Sequence, residues 1–210
     1  MPLVSVIIPT FNRSHLIMRT IDSVLKQTLS EIEAIIVDDG SSDNTKQIVA
    51  NYIDPRIRYV YKENGGVSSA RNAGLNIAKG DYVCFLDDDD EWYDSYLELM
   101  INGLQSSSVY GAAYSSMGPK DCLIETLNIN CPSGSITKEL FQRGVVPIIA
   151  CLIRRDLLED IRFDTALKIA EDSDFLLRVS LKAKFIFINN TYAIRNPTEI
   201  SLTSNYDESR

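Results

Sequence analysis

The stretch DYVCFLDDDDEW, residues 81–92, decides how this chain is read. An apolar run, Tyr82–Leu86, ends in four consecutive aspartates, Asp87–Asp90, followed by Glu91 and Trp92. A short apolar run bounded by turn residues is the pattern of a buried strand in a parallel sheet. In an open α/β sheet, ligands bind beyond the carboxyl ends of the strands, which is where these aspartates fall. Such a carboxylate cluster suits a hard divalent cation.

The charge of the whole chain is concentrated around this stretch. Residues 81–98 hold Asp81, Asp87, Asp88, Asp89, Asp90, Glu91, Asp94 and Glu98 with no Lys or Arg, a local charge of −8. The chain has 29 acidic and 21 basic residues, so removing these eight leaves 21 against 21 and a neutral remainder. That balance argues against nucleic-acid binding through a basic patch.

With 210 residues, 45% hydrophobic and 24% charged, the chain can bury a full core, and disorder or a fibrous repeat is excluded. No linker or internal repeat divides it, so one domain over 1–210 is expected. No apolar run reaches the roughly 18–20 residues that cross a bilayer, and MPLVSVIIPTFN lacks a basic leader and a small-residue cleavage site, so a cytoplasmic location is expected. Cys84, Cys122, Cys131 and Cys151 are too few and too scattered for a disulfide framework or a zinc site and read as structural thiols.

Apolar β-branched runs alternate with segments of helical period, the signature of βαβ units. Strands are expected at Val4–Pro9, Glu33–Val37, Arg58–Lys62 and Tyr82–Leu86. Between them lie a helix capped by Ser14, a helix starting near Ser42 or Asp43, and a small-residue helix at Ser68–Ala78. The second half is less regular. It reads as a helix near Ser95–Gln105, a strand near Tyr110–Ser115, an insertion over 117–134, a strand at Ile148–Ile153, a helix at Glu171–Leu181 and a last strand at Phe185–Ile188.

Four loops follow the first four strands: Pro9–Arg13, Asp38–Asp43, Asn64–Asn72 and Asp87–Trp92. The topology brings them to one edge of the sheet. There they offer an aromatic ring for a base, carboxylates for base or ribose hydrogen bonds, an arginine and a cation site, a set that suits a nucleotide diphosphate.

Five segments carry a resemblance to the family-2 glycosyltransferases of GT-A fold: VSVIIPTFNR at 4–13, VDDGSSDNT at 37–45, NGGVSSARNAGL at 64–75, FLDDDDEW at 85–92 and AEDSDFLLR at 170–178. The resemblance implies a Rossmann-like three-layer α/β/α sandwich with a mostly parallel sheet. In it, 1–95 is the nucleotide-sugar-binding half and 96–210 the acceptor-side half. It implies a donor site, opened by Pro9, in which Phe11 lines the base and Asp39 accepts from a uracil N–H. Arg71 closes over the nucleotide and Asp88 reaches the ribose. Asp89, closing the Asp-x-Asp motif that opens at Asp87, binds Mg²⁺ or Mn²⁺ on the diphosphate.

The reaction so implied is displacement at an anomeric carbon with inversion, from a UDP-sugar to a hydroxyl of a glycan or lipid-linked acceptor, in surface polysaccharide synthesis. An acceptor hydroxyl must lose a proton, which calls for a carboxylate base. The resemblance assigns this to Glu171-Asp172, with Asp172 as the base, Glu171 binding acceptor or positioning the loop, and Asp174 the next candidate. Peripheral membrane contact at the inner face and a homodimer are compatible with it. Relatives often supply a histidine near the metal, but the only histidine here is His15, read as a surface residue, and Asn196-Pro197-Thr198-Glu199 occupies the corresponding place. Trp92 reads as packing.

Other functions fit less well. There is no G-x-G-x-x-G after the first strand and no G-x-x-x-x-G-K-[ST], which disfavours a dehydrogenase and a P-loop enzyme. A metal-dependent nucleotidyltransferase, a sugar-nucleotide-binding domain without activity, and a Mg²⁺-binding receiver-like switch module remain as alternatives.

Overall fold

A computed structural model describes residues 1–119, 131–143 and 146–196. Cys122, most of the expected 117–134 insertion, and Pro197–Glu199 lie outside the described residues.

The sequence folds as β1 (Val4–Thr10), α1 (Ile17–Leu25), β2 (Ile32–Asp38), α2 (Thr45–Ala50), β3 (Ile57–Tyr61), α3 (Val67–Ile77), β4 (Tyr82–Phe85), β5 (Glu91–Trp92), α4 (Tyr96–Gln105), β6 (Tyr110–Gly118), α5 (Thr137–Arg143), β7 (Cys151–Arg154), α6 (Glu171–Ser180) and β8 (Lys184–Ile194). The strands form one sheet in the order β3-β2-β1-β4-β7-β6-β8-β5. The β3-β2-β1-β4 block and the β6-β8 pair are parallel, whereas β7 runs antiparallel to both neighbours and β5 antiparallel to β8.

β1 and β2 are buried along their whole length, as expected of strands covered on both faces. Right-handed crossovers explain the covering. The chain steps outward from β1 to β2 to β3 through α1 and α2, then returns to β4 through α3, which therefore lies on the opposite face. α3 comes very close to β1, since a Cβ on Gly74 would lie 2.5 Å from Ile7 Cγ2. Only hydrogen fits there.

The first half follows its sequence pattern, but several details differ. Ser14 does not cap α1 through its hydroxyl. Its N–H donates to Asp43 (2.9 Å), and the helix starts at Ile17. The apolar run expected as one strand over Ile148–Ile153 begins as a 3₁₀ turn, Ile148–Ala150, entered from Pro147, which lacks a main-chain donor. β8 runs well past the expected Ile188. Its pairing with β6 shifts register between Tyr114 and Ser116, which carries the strand on to Ile194. β5 has two residues, too short for any periodicity to register.

Candidate functional site

The ends of β1, β2 and β4 and the start of α6 converge on a cavity of about 650 Å³, lined by the residues assigned to the donor site, the metal and the base: Pro9, Phe11, Asp39, Arg71, Asp87, Asp88, Asp89, Glu171 and Asp172. Phe11 stands exposed at its rim, beside Asn12, whose φ of 53° is left-handed. Asn12 holds that turn against the next loop, accepting from the Ser42 N–H (2.8 Å) while its own N–H donates to Ser41 Oγ (2.9 Å).

Asp39 directly follows β2 and is buried at the start of α3. Its carboxylate accepts from the N–H groups of Gly65 (3.1 Å) and Gly66 (2.7 Å) and from Lys62 Nζ. Position 66 needs its glycine: Gly66 has φ +85°, open only at strain to other residues. The anion also sits favourably at a helix N-terminus.

The four aspartates are not equivalent. Asp87 accepts from Arg71 (2.8 Å) and keeps a side chain 36% exposed. Asp88 and Asp89 share Arg13, at 3.0 and 2.8 Å. Asp90 turns inward, where its carboxylate accepts from the Asn196 N–H (3.1 Å). Burial pushes the Asp88 carboxyl up to about 6, with Arg13 opposing and Asp89 and Asp87 adding to the rise. Burial, and then Asp87, pushes Asp90 up to about 7. Among the described residues, no group of three or more His, Cys, Asp or Glu side chains is arranged to hold a metal ion.

Arg71 does not fold over the open cavity. It is buried, with a side chain only 4% exposed, and bridges Asp87 (2.8 Å) and Glu171 (3.0 Å). Burial works against its charge, but the two carboxylates hold its pKa above the ordinary value. Its neighbour in that bridge, Glu171, begins α6 directly after Ala170, whose φ of 59° is left-handed. Asp172 differs from Glu171 in having no cation partner among the described residues. One of its oxygens accepts from the Ser173 N–H (2.7 Å). Asp174 is tied to Arg178 and does not line the cavity.

Three groups at the site carried no assignment from the sequence. Arg13 was visible only as the last residue of the PTFNR loop. Arg19 donates to the Asp89 carbonyl (2.6 Å) from α1, and Asn196 donates to the Asp89 carbonyl (3.0 Å) and to Glu91 (3.1 Å). Asn196 lies where a metal-binding histidine had been sought; it latches the acidic turn instead. Trp92 is buried, stacked on Tyr96 at 4.7 Å and donating from its indole N–H to the Ile149 carbonyl (2.8 Å), so it packs the turn from beneath.

A sequence model of glycosyl transferase family 2 matches residues 5–162, more than half of the chain. The chain is 34% identical over 197 residues to the glycosyltransferase EpsJ of Bacillus subtilis, covering 87% of this chain and 57% of that one. It is 33% identical over 185 residues to WcaA of Escherichia coli K12, whose name places it in colanic acid biosynthesis, covering 85% and 66%. It therefore spans about two thirds of these relatives or less. Among solved structures, S. aureus TarS 1–349 in complex with UDP-GlcNAc superposes with a TM-score of 0.78 at 28% identity, covering 99% of this chain and 62% of that one. The mannosyltransferase PcManGT of Pyrobaculum calidifontis, in complex with GDP-Man and Mn²⁺, shares the fold with a TM-score of 0.78 at 22% identity, over 97% and 59%. No helix among the described residues is long and apolar enough to cross a membrane. On its matched segments and its sheet, the chain belongs to glycosyl transferase family 2 and has a GT-A-like fold.

Proposed function

We propose that this chain, as one domain, is an inverting glycosyltransferase that moves a sugar from a UDP-sugar to a hydroxyl of a glycan or lipid-linked acceptor in surface polysaccharide synthesis. The observation that carries this is the pairing of the two acids of α6: Glu171 is engaged by Arg71, whereas Asp172, in the same cavity as the acidic turn, has no cation partner among the described residues. A carboxylate so disposed can accept a proton from an acceptor hydroxyl. The hydroxyl oxygen then forms its bond to the anomeric carbon as the bond to the diphosphate oxygen breaks, and the configuration inverts.

The donor is assigned to the other wall. Phe11 stacks on the base at the rim, with Pro9 beneath it. Asp39, oriented by its glycine amides, accepts from the uracil N–H, and Asp88 faces the ribose. Asp87 and Asp89 are hard oxygen donors on one turn, and Mg²⁺ or Mn²⁺ commonly takes one or two carboxylates with phosphate oxygens and water completing the shell. This donor set fits such an ion. When bound, the cation would neutralise charge on the departing diphosphate. The structures of TarS with UDP-GlcNAc and PcManGT with Mn²⁺ support the donor class and the metal. Product analysis with a panel of nucleotide sugars, with and without Mn²⁺, tests the reading. Transfer or hydrolysis of a UDP-sugar is the expected result, and nucleotidyl transfer to a sugar phosphate would overturn it.

A further inference from the structure

Arg71 is a buried cation between two acids that belong to different parts of the reaction. Its Nη2 donates to Asp87 at the acidic turn (2.8 Å) and its Nη1 to Glu171 at the start of α6 (3.0 Å). Its Nε has no partner among the described residues, so the planar group is held by two bonds and by what packs on its face. That packing is specific. The guanidinium carbon lies 5.3 Å from the centre of the Phe163 ring, within cation–π range.

Phe163 is itself immobilised from three sides. Its ring stacks on Phe175 of α6 at 4.0 Å and meets Phe85 of β4 edge-on at 5.0 Å. Its main chain is clamped by Asn72, the residue after Arg71: the Asn72 amide donates to the Phe163 carbonyl and accepts from the Phe163 N–H, both at 2.8 Å. α3 therefore grips the segment preceding α6 twice, once through Asn72 and once through Arg71. Removing one partner from a buried ion pair leaves an uncompensated charge, so the arrangement has little freedom to relax.

We propose that Arg71 is a positioning residue: seated on Phe163, which Asn72 clamps, it fixes Glu171 relative to the acidic turn and thereby aims the adjacent Asp172 at the acceptor hydroxyl. The consequence is a strut from the donor-side acid Asp87 to the base. The strut keeps the base in reach of the acceptor hydroxyl, where small misplacements are expensive in rate. This rests on the assignment of Asp172 as base.

The test is a double-mutant cycle on turnover. It uses Arg71→Lys, Glu171→Gln and the pair, with UDP release from whichever of UDP-GlcNAc, UDP-glucose and UDP-galactose the wild-type protein hydrolyses fastest. UDP affinity is measured in parallel by calorimetry. Each single variant is expected to lower kcat about tenfold, the pair no further than about twofold below the worse single, and UDP affinity to stay within about threefold. Losses that multiply in the pair, or an affinity loss as large as the loss in kcat, would overturn the strut. Because Arg71→Lys changes a buried group, Phe163→Leu serves as a second variant: it keeps the apolar volume but removes the ring, and wild-type kcat in it would also overturn the proposal. Asp172→Asn run alongside separates the two ideas. Full turnover there removes the base assignment, while the coupling of Arg71 to Glu171 is still read from the cycle.

Discussion

The main-chain N–H of Asn196 donates to the Asp90 carboxylate at 3.1 Å across 106 residues of sequence, so the end of β8 holds the acidic turn in place. That turn carries two carboxyls with raised pKa values, Asp90 at about 7 and Asp88 at about 6, both chiefly through burial. A carboxyl whose pKa is higher folded than unfolded binds more protons in the folded state between the two values, so its contribution to stability falls as pH rises through that window. In the metal-free protein, kept so with chelator, Tm is expected to be a few degrees higher near about pH 5.5 than near about pH 7.5. Asp90→Asn should shrink that difference. A Tm that climbed with pH across the interval, unchanged by the substitution, would sink the assignment.

Metal dependence is read most directly from binding. UDP affinity measured calorimetrically in Mn²⁺ is expected to fall at least about tenfold when the metal is chelated. Equal affinity in both conditions would exclude a metal bridge to the diphosphate.

Asp89→Ala should lose that Mn²⁺-dependent increment yet stay folded. Arg13 keeps its second partner, Asp88, at 3.0 Å, and removing one carboxylate relieves like-charge repulsion on the buried Asp88. Thermal melting of the apo variant checks it: a Tm well below wild type would make Asp89 a structural residue.

Binding and chemistry should separate at Asp172. Asp172→Asn keeps size and hydrogen bonding but cannot accept the proton, and general-base contributions are typically about 10²–10⁴-fold. UDP-sugar binding close to wild type with turnover at least about a hundredfold slower is expected, against a milder, roughly tenfold loss for Glu171→Gln. The reverse pattern in steady-state kinetics would exchange the two roles.

Ala170, with φ 59°, precedes this pair in a conformation that an L-residue adopts at a cost of about 1–2 kcal/mol. Glycine relieves that strain and gives back about 0.5–1 kcal/mol as unfolded-chain entropy. Ala170→Gly is therefore expected to raise Tm by about 1–3 °C in scanning calorimetry. A lowered Tm would show that the methyl group is held by contacts worth more than the strain.

Much of this molecule is written locally in its sequence. β1, β2 and β4 announce themselves by apolar runs, and Pro9, near the end of β1, together with Phe11, Asp39 and Asp87–Asp89, just past their strands, falls at the strand ends, so a parallel sheet suffices to bring them to one edge. Local periodicity says nothing, however, about which distant groups meet. The bond from Arg71 to Glu171 spans 100 residues and depends on where α6 docks, and the latch of Asn196 on the acidic turn depends on β5 pairing with the far end of β8. Nor can four identical aspartates be told apart by their letters. Asp87 on Arg71, Asp88 and Asp89 on Arg13, and Asp90 turned in under Asn196 differ only in the donors that packing brings to each. A side chain's type is fixed by the chain, but its charge partner and its burial are properties of the assembled sheet, because both depend on distances that only closure of long loops creates.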